Sequence, residues 1–144
     1  MFSLIVTAKK SANRLISSKN HTQYNVDKRK KRTTSKIYYY NGVLDNITYC
    51  IDGKHQYHRT NGPAVIYFFS TGNVRFEIWF LNGKKHRIDG PSFIRYRENG
   101  MIHFKEWHYL GNRHRLNQLA YILYSPTGDI TRIEMYNNGI PVIS

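Results

Sequence analysis

Cysteine occurs once, at Cys50, so the chain can form no internal disulfide and suits a reducing compartment. Acids are scarce, with nine Asp and Glu against 22 Lys and Arg. They also stand singly, as at Glu77, Glu106 and Glu134, which removes the paired carboxylates of general acid–base hydrolysis. No phosphate-cradling GxGxxG or GxxxxGKS run and no HExxH run is present. His55-x-x-His58 near Cys50 lacks the further ligands of a zinc site, so neither a metal nor another cofactor is expected. The single cysteine falls in a strand pattern, and Ser–His–Asp combinations arise by chance in a chain with seven histidines. These absences argue against an enzyme and against a small-molecule substrate. Long apolar runs are missing too. The longest, Phe2 to Ala8, is far below the roughly 20 residues of a membrane span, and it precedes its lysines, the reverse of a secretory signal. An acid-free start with Arg14 and several serines leaves organellar targeting as an alternative.

What is abundant is positive charge, and it is unevenly placed. Residues 1–36 hold ten Lys or Arg against one acid, Asp27, for a net +9 of the total +13. Five of those cations are consecutive, Lys28-Arg29-Lys30-Lys31-Arg32. The remaining residues carry twelve bases against eight acids. The chain therefore divides into a basic N-terminal arm, 1–36, and a nearly balanced body, 37–144. Such asymmetry points to an acidic partner: nucleic acid, another polyanion or an acidic protein. Within the arm, Phe2, Ile5, Leu15 and Ile16 suggest a short amphipathic helix, and Ser17 to Asp27 reads as irregular.

The body is periodic. His58-Arg59, His86-Arg87 and His114-Arg115 recur 28 residues apart. Asn61-Gly62-Pro63-Ala64 matches Asp89-Gly90-Pro91-Ser92, and the third copy reads Asn117-Gln118-Leu119-Ala120. Gly72, Gly100 and Gly128 share one register; Trp79 and Trp107 share another. A fixed period of this length signifies a repeat array: a half-repeat (37–53), repeats 54–81, 82–109 and 110–137, and a stub, 138–144. Turn chemistry sets each unit. Ser70-Thr71-Gly72, Glu98-Asn99-Gly100 and Pro126-Thr127-Gly128 fit three-residue hairpin loops ending in a left-handed glycine. With that loop, Ala64, Ile66, Phe68, Val74, Phe76 and Ile78 fall on one face. It puts Ser92, Ile94, Tyr96, Ile102 and Phe104 on the equivalent face of the next unit. A two-residue loop would instead pair Ile66 with Glu77 and Ile94 with Lys105, which places charge in a core, and is disfavoured on that ground. The expected fold is all-β, an antiparallel meander of stacked hairpins.

Residues 37–144 resemble the MORN family of glycine-punctuated β-hairpin repeats. The resemblance is carried by Asn82-Gly83-Lys84-Lys85-His86-Arg87-Ile88-Asp89-Gly90-Pro91-Ser92, with Glu98-Asn99-Gly100 and Trp107 following. This variant is similar to repeats in proteins of phages and large DNA viruses, and some bacterial relatives are labelled antitoxins. The last unit departs from the pattern at Asn117-Gln118-Leu119 and at Pro141. The resemblance implies scaffolding or partner binding, a location in host cytoplasm or virion, and no catalytic residue.

The expected function is thus non-enzymatic: the body docks on a protein partner in a larger assembly while the arm contacts nucleic acid or another polyanion. An inhibitor or antitoxin masking an enzyme, and a non-specific nucleic-acid binder, are the alternatives. Polyanion contacts are expected from Lys9, Lys10, Arg14, Lys28, Arg29, Lys30, Lys31 and Arg32, and on the body from Arg95, Arg97 and Lys105. Tyr67, Trp79, Trp107 and Tyr109, expected on one outer face with those three body cations and His103, would dock protein or stack on bases. The repeated His58, Arg59, Gly62, Pro63, His86, Arg87, Asp89, Gly90, Pro91, Gly100, His114 and Arg115 read as structural, since each copy solves the same packing problem. Arg87 would pair with Asp89, and His86 would pack under Trp79 or Trp107.

A left-handed backbone at Gly100 costs a β-branched side chain about 1–2 kcal/mol or more, whereas Lys84 lies in a solvated turn. Gly100→Val is therefore expected to lower the urea midpoint far more than Lys84→Ala does; equal losses would overturn the loop assignment.

Overall fold

The computed structural model describes residues 21–25, 33–51 and 54–142. All regular structure among them is β. Ten strands form one antiparallel sheet: β1 (His21–Asn25), β2 (Thr33–Tyr40), β3 (Val43–Ile51), β4 (Val65–Phe68), β5 (Val74–Ile78), β8 (Phe93–Tyr96), β9 (Ile102–Glu106), β12 (Leu119–Tyr124), β13 (Ile130–Asn137) and β14 (Ile140–Val142), in that spatial order. Two short ribbons complete the chain order, β6 (Phe80–Leu81) with β7 (Lys84–Lys85) and β10 (His108–Tyr109) with β11 (Asn112–Arg113). Sequence neighbours are sheet neighbours throughout, which is the expected meander.

The sheet starts earlier than the sequence division at residue 36. β2 begins at Thr33, and β1 lies wholly within the segment assigned to the arm, so 17–27 is not all irregular. An edge strand pairs on one side only and needs no apolar row, which is why His21-Thr22-Gln23-Tyr24-Asn25 gave no strand signal. The short N-terminal helix and the arm cations Lys9, Lys10, Arg14, Lys28, Arg29, Lys30, Lys31 and Arg32 lie outside the described residues.

The glycine loops form as their chemistry requires. Gly72, Gly100 and Gly128 have φ of +86°, +83° and +95°. In each, the glycine N–H donates to the carbonyl three residues back, at 2.9, 2.9 and 3.1 Å for Phe69, Arg97 and Ser125. Nothing lies within 4 Å of where a Cβ would stand on Gly100, so the demand for glycine there is conformational, not steric.

The register beyond the loops differs from the expected one. Phe68 faces Val74, but Tyr67 faces Phe76, leaving Arg75 unpaired in a bulge. The same slip leaves out His103 in the next unit and Thr131 in the one after, and Asp45 in the first hairpin. The bulge is thus a repeated feature that turns the strand over by one residue. Ile66 consequently pairs with Glu77 and Ile94 with Lys105, the arrangement that the sequence reading rejected. Its premise, a face closed off from water, does not hold in a single-layer sheet. Only Ile51, Ala64, Val65 and Ala120 are buried apolar residues among those described, and the charges opposite the isoleucines are satisfied. Glu77 accepts a 3.1 Å bond from the Tyr96 hydroxyl, and the Lys105 ammonium lies 5.6 Å from the Tyr124 ring centre.

What the bulge achieves is a continuous aromatic row. Tyr67, Phe76, Phe93, Phe104 and Tyr121 share one face across five strands, at successive centroid distances of 4.6, 5.9, 4.9 and 5.9 Å. Ring pairs in such geometries add about 0.5–1.5 kcal/mol beyond area burial. The ribbons fold over this face: Lys85 of β7 sits 4.8 Å from the Phe93 ring centre, and Arg113 of β11 sits 5.2 Å from that of Tyr121.

The two ribbon turns and the turn between β13 and β14 each pass through two left-handed residues, as a type I′ turn requires. The first is Asn82 and Asn138 at φ +50° and +48°, but Leu110 at φ +48° in the middle copy. Leucine bears the full steric cost of that conformation while asparagine relieves much of it. Leu110 is also 44% exposed and gains little from burial. Leu110→Asn is expected to raise stability by about 0.5–1 kcal/mol, read as a higher thermal midpoint; an unchanged or lower midpoint would contradict the turn.

Candidate functional site

The His-Arg pairs are where successive units join. The Nδ1 of His58, His86 and His114 accepts a bond from the backbone N–H of Asn82, Leu110 and Asn138, 24 residues on, at 3.0, 3.3 and 3.2 Å. The following glycine N–H, of Gly83, Gly111 or Gly139, donates to the carbonyl of the residue before the histidine, Tyr57, Lys85 or Arg113, each at 2.8 Å. Every ribbon turn is thereby held by the preceding unit. An acceptor Nδ1 requires a neutral imidazole with its proton on Nε2.

The arginines complete the joint. Arg59, Arg87 and Arg115 stack on Tyr49, Trp79 and Trp107 at 3.9, 4.2 and 4.4 Å from the ring centres. Each also donates to the carbonyl four residues on, of Pro63, Pro91 and Leu119. Arg87 further pairs with Asp89 at 2.9 Å, as anticipated, and that hydrogen bond first, then the arginine's charge, holds the exposed Asp89 carboxyl below the usual range. The partner of Trp79 is Arg87 rather than His86, whose ring instead meets Tyr109 edge-on at 5.1 Å. Gly62 and Gly90 lie where any Cβ would approach the Arg59 or Arg87 guanidinium to 3.0 or 2.9 Å. The glycine of the Gly-Pro turn therefore makes room for the stacked arginine.

A second cluster is found in one unit only. Ser92, Glu106 and His108 occupy the register of Ala64, Ile78 and Phe80 one unit earlier. Ser92 Oγ lies 2.9 Å from His108 Nδ1, and Glu106 Oε2 lies 3.6 Å from His108 Nε2. The order Ser–His–Glu imitates a catalytic triad, but Ser92 is 0% exposed, so no substrate can reach its hydroxyl in this fold. The Glu106 carboxylate is held instead by Arg113 at 2.7 Å and Lys85 at 4.0 Å, and Arg113 continues to Glu134 at 3.3 Å. Burial first, then the charges of Lys85 and Arg113, push the His108 pKa down to about 4. Burial likewise pushes the Cys50 thiol up, with Lys36 opposing, which disfavours the nucleophilic thiolate. Among the described residues no group of His, Cys, Asp and Glu is placed to hold a metal ion.

The body residues expected to form one outer face are divided. Tyr67 and Arg95 lie on the aromatic face, paired through Phe76, while Lys105 pairs with Ile94 on the other. Arg97 donates to the Tyr124 carbonyl at 2.7 Å and its Nε is buried, so it is engaged in the fold. His103, a bulge residue, has its pKa lowered by burial and by Arg97 and Arg95. Trp79 and Trp107 each have a guanidinium stacked on the ring; Tyr109 is 49% exposed. Strict alternation would put these residues on one side, and the bulge separates them.

Two residues not singled out by sequence stand out instead. Ile88 and Leu116 follow the His-Arg pairs at the same register position and are 88% and 72% exposed. Their signal was available: an aliphatic residue in two copies, between an arginine and a turn. Ile88 borders a groove of about 580 Å³ between consecutive connections, lined also by Arg59, Trp79, Leu81, His86 and Arg87. In comparison with known proteins, no family model matches the chain, and no curated protein or solved structure is similar to it.

His108 gives a pH prediction. Its folded pKa, about 4, lies below the ordinary 6.5, so the folded state disfavours the proton that the unfolded chain accepts. The associated stability is complete above pH 6.5 and is lost as pH falls from 6.5 towards 4, by roughly 2–3 kcal/mol. The double change Ser92→Ala with His108→Phe copies the pairing of Ala64 and Phe80, and is expected to flatten that acid slope in urea titrations. An unaltered slope would show that His108 is not its source.

Proposed function

We propose that the protein is a non-enzymatic binding and assembly protein, virus- or phage-encoded as its MORN-like repeats imply, acting in host cytoplasm or virion. In this reading the repeat body docks on a protein partner and the basic arm contacts nucleic acid or another polyanion. The observation that carries the docking half is the pair Ile88 and Leu116. Repeated residues in an array normally serve packing, yet these two large aliphatic side chains are turned to solvent at 88% and 72% exposure. Exposed apolar positions beside polar ones are a mark of interaction surfaces, and here each stands next to a stacked arginine. Arg and Trp are also enriched where binding energy concentrates.

The arm half rests on charge: net +9 in residues 1–36, with five cations in a row. If those five track phosphates, each contact releases condensed counterions. Binding of the full chain to duplex DNA is then expected to give a slope of log K against log salt of roughly −3 to −4.5. Changing Lys28, Arg29, Lys30, Lys31 and Arg32 to Gln is expected to remove most of the slope and weaken all sequences alike, because phosphate contacts position without specifying. Ile88→Ser with Leu116→Ser is expected to leave the slope intact while releasing proteins that the parent retains. A flat salt response in the parent would remove nucleic acid as the arm's partner.

A further inference from the structure

The units of this sheet hold one another through ladders only three residues long. Phe76, Glu77 and Ile78 of β5 face Arg95, Ile94 and Phe93. Phe104, Lys105 and Glu106 of β9 face Leu123, Ile122 and Tyr121. Shifted by one further repeat, the equivalent residues of β13 are Arg132, Ile133 and Glu134. On their outer side they face no strand among the described residues, because β14 covers only Met135, Tyr136 and Asn137. Among the described residues, the edge that binds a successor in each earlier unit therefore carries no strand in this one.

Its backbone groups face outward. Ile78 and Glu106 give their carbonyls inward, to Ala64 and Ser92. Peptide groups alternate along an antiparallel strand, so Glu77 and Lys105 turn theirs to the next unit. By the same register Ile133 turns its N–H and C=O to solvent. The side chains are apolar and exposed as well: Ile130 is 58% and Ile133 53% exposed. They share one face because the Thr131 bulge separates them. An outward-facing donor and acceptor with no described strand opposite them, beside exposed isoleucines, is a template for a further strand.

We propose that this edge pairs with the same edge of a second copy of the chain, antiparallel about a two-fold axis through Ile133. The occupant follows from the charge pattern. Only with Ile133 opposite Ile133 does Arg132 of one copy stand opposite Glu134 of the other, twice by symmetry. A shift by one residue to centre the axis on Arg132 would oppose two like guanidiniums, which destabilises a cross-strand pair. Within one chain Arg132 already reaches the Glu134 carboxylate, so the pairing extends an existing ion pair into a four-membered alternating cluster. An axis at Ile133 also makes the central pair one in which both residues exchange N–H···O bonds. The ladder spans three residues per copy, the length that joins units within the chain, and the Thr131 bulge bends the incoming strand away from β14. The patch is isologous, as a closed dimer requires, and it is small, so the association is weak.

The test uses the full chain in sedimentation equilibrium, at moderate salt to screen the repulsion of two copies at +13. The parent is expected to show a monomer–dimer equilibrium at micromolar to millimolar concentration. Arg132→Glu leaves two acids facing two acids, and Glu134→Arg two bases facing two bases. Each variant alone is expected to dissociate at least about tenfold more readily, whereas their equimolar mixture restores complementarity and recovers the dimer as a heterodimer. Circular dichroism checks that each is folded. Should Glu134→Arg not fold, Ile133→Lys and Ile133→Glu take its place, since each repels itself across the axis and attracts the other. A parent that stays monomeric throughout overturns the proposal. So do single variants that dimerise like the parent, or a mixture that fails to recover.

Discussion

The bond on which the rest of the structure depends is the one from a turn's backbone N–H to a histidine Nδ1 of the preceding unit. A type I′ turn leaves two N–H groups pointing away from its own ribbon, and a solvent-facing ribbon of two residue pairs is marginal by itself. The His-Arg segment answers both problems: imidazole and adjacent carbonyl accept the two N–H groups. The neighbouring arginine then closes over the aromatic ring where the ribbon leaves the sheet. In a single-layer sheet with so little fully buried apolar area, these joints take much of the part that a core has in a two-layer domain. Their repetition every 28 residues is the physical content of the sequence period.

Much of this was legible beforehand. Gly72, Gly100 and Gly128 announced the loops because no other residue tolerates their conformation as well. Periodic His-Arg and Gly-Pro positions were read as structural and lie at the joints between units, whereas His86 meets Tyr109 and not the expected tryptophan. The register was illegible because a bulge leaves no compositional mark: Arg75, His103, Thr131 and Asp45 share no chemistry, only a place. Since side chains alternate, that one unpaired residue reassigns every face after it, and the supposed outer face of Tyr67, Arg95 and Lys105 was lost with it. Strand β1 was missed because an edge strand carries no apolar alternation.

The polar cluster around Glu106 shows how an array tolerates sequence drift. Ala64, Ile78 and Phe80 are apolar in one unit; Ser92, Glu106 and His108 occupy the same places in the next. A buried carboxylate is tolerable only with its cations, and Lys85 and Arg113 come from the two ribbons that flank it. Replacing any one member alone leaves a buried group without its partner, so the three positions are expected to change together or not at all. The copies thus share a backbone while differing in what fills them.

The fixed 24-residue reach of the histidine bond has a kinetic corollary. Among the described residues, the bonds that join one unit to another close loops of no more than about one repeat, so contact order stays low for an all-β chain. Meanders of this connectivity avoid the slow search that long-range strand pairing imposes on sandwiches and barrels. Nucleation in any adjacent pair of units can spread outward by successive capture of the next turn, each step gaining a latch soon after it loses chain entropy. Unfolding then proceeds like a zipper from an end. Under tension along the chain the joints would yield one after another rather than in a single rupture.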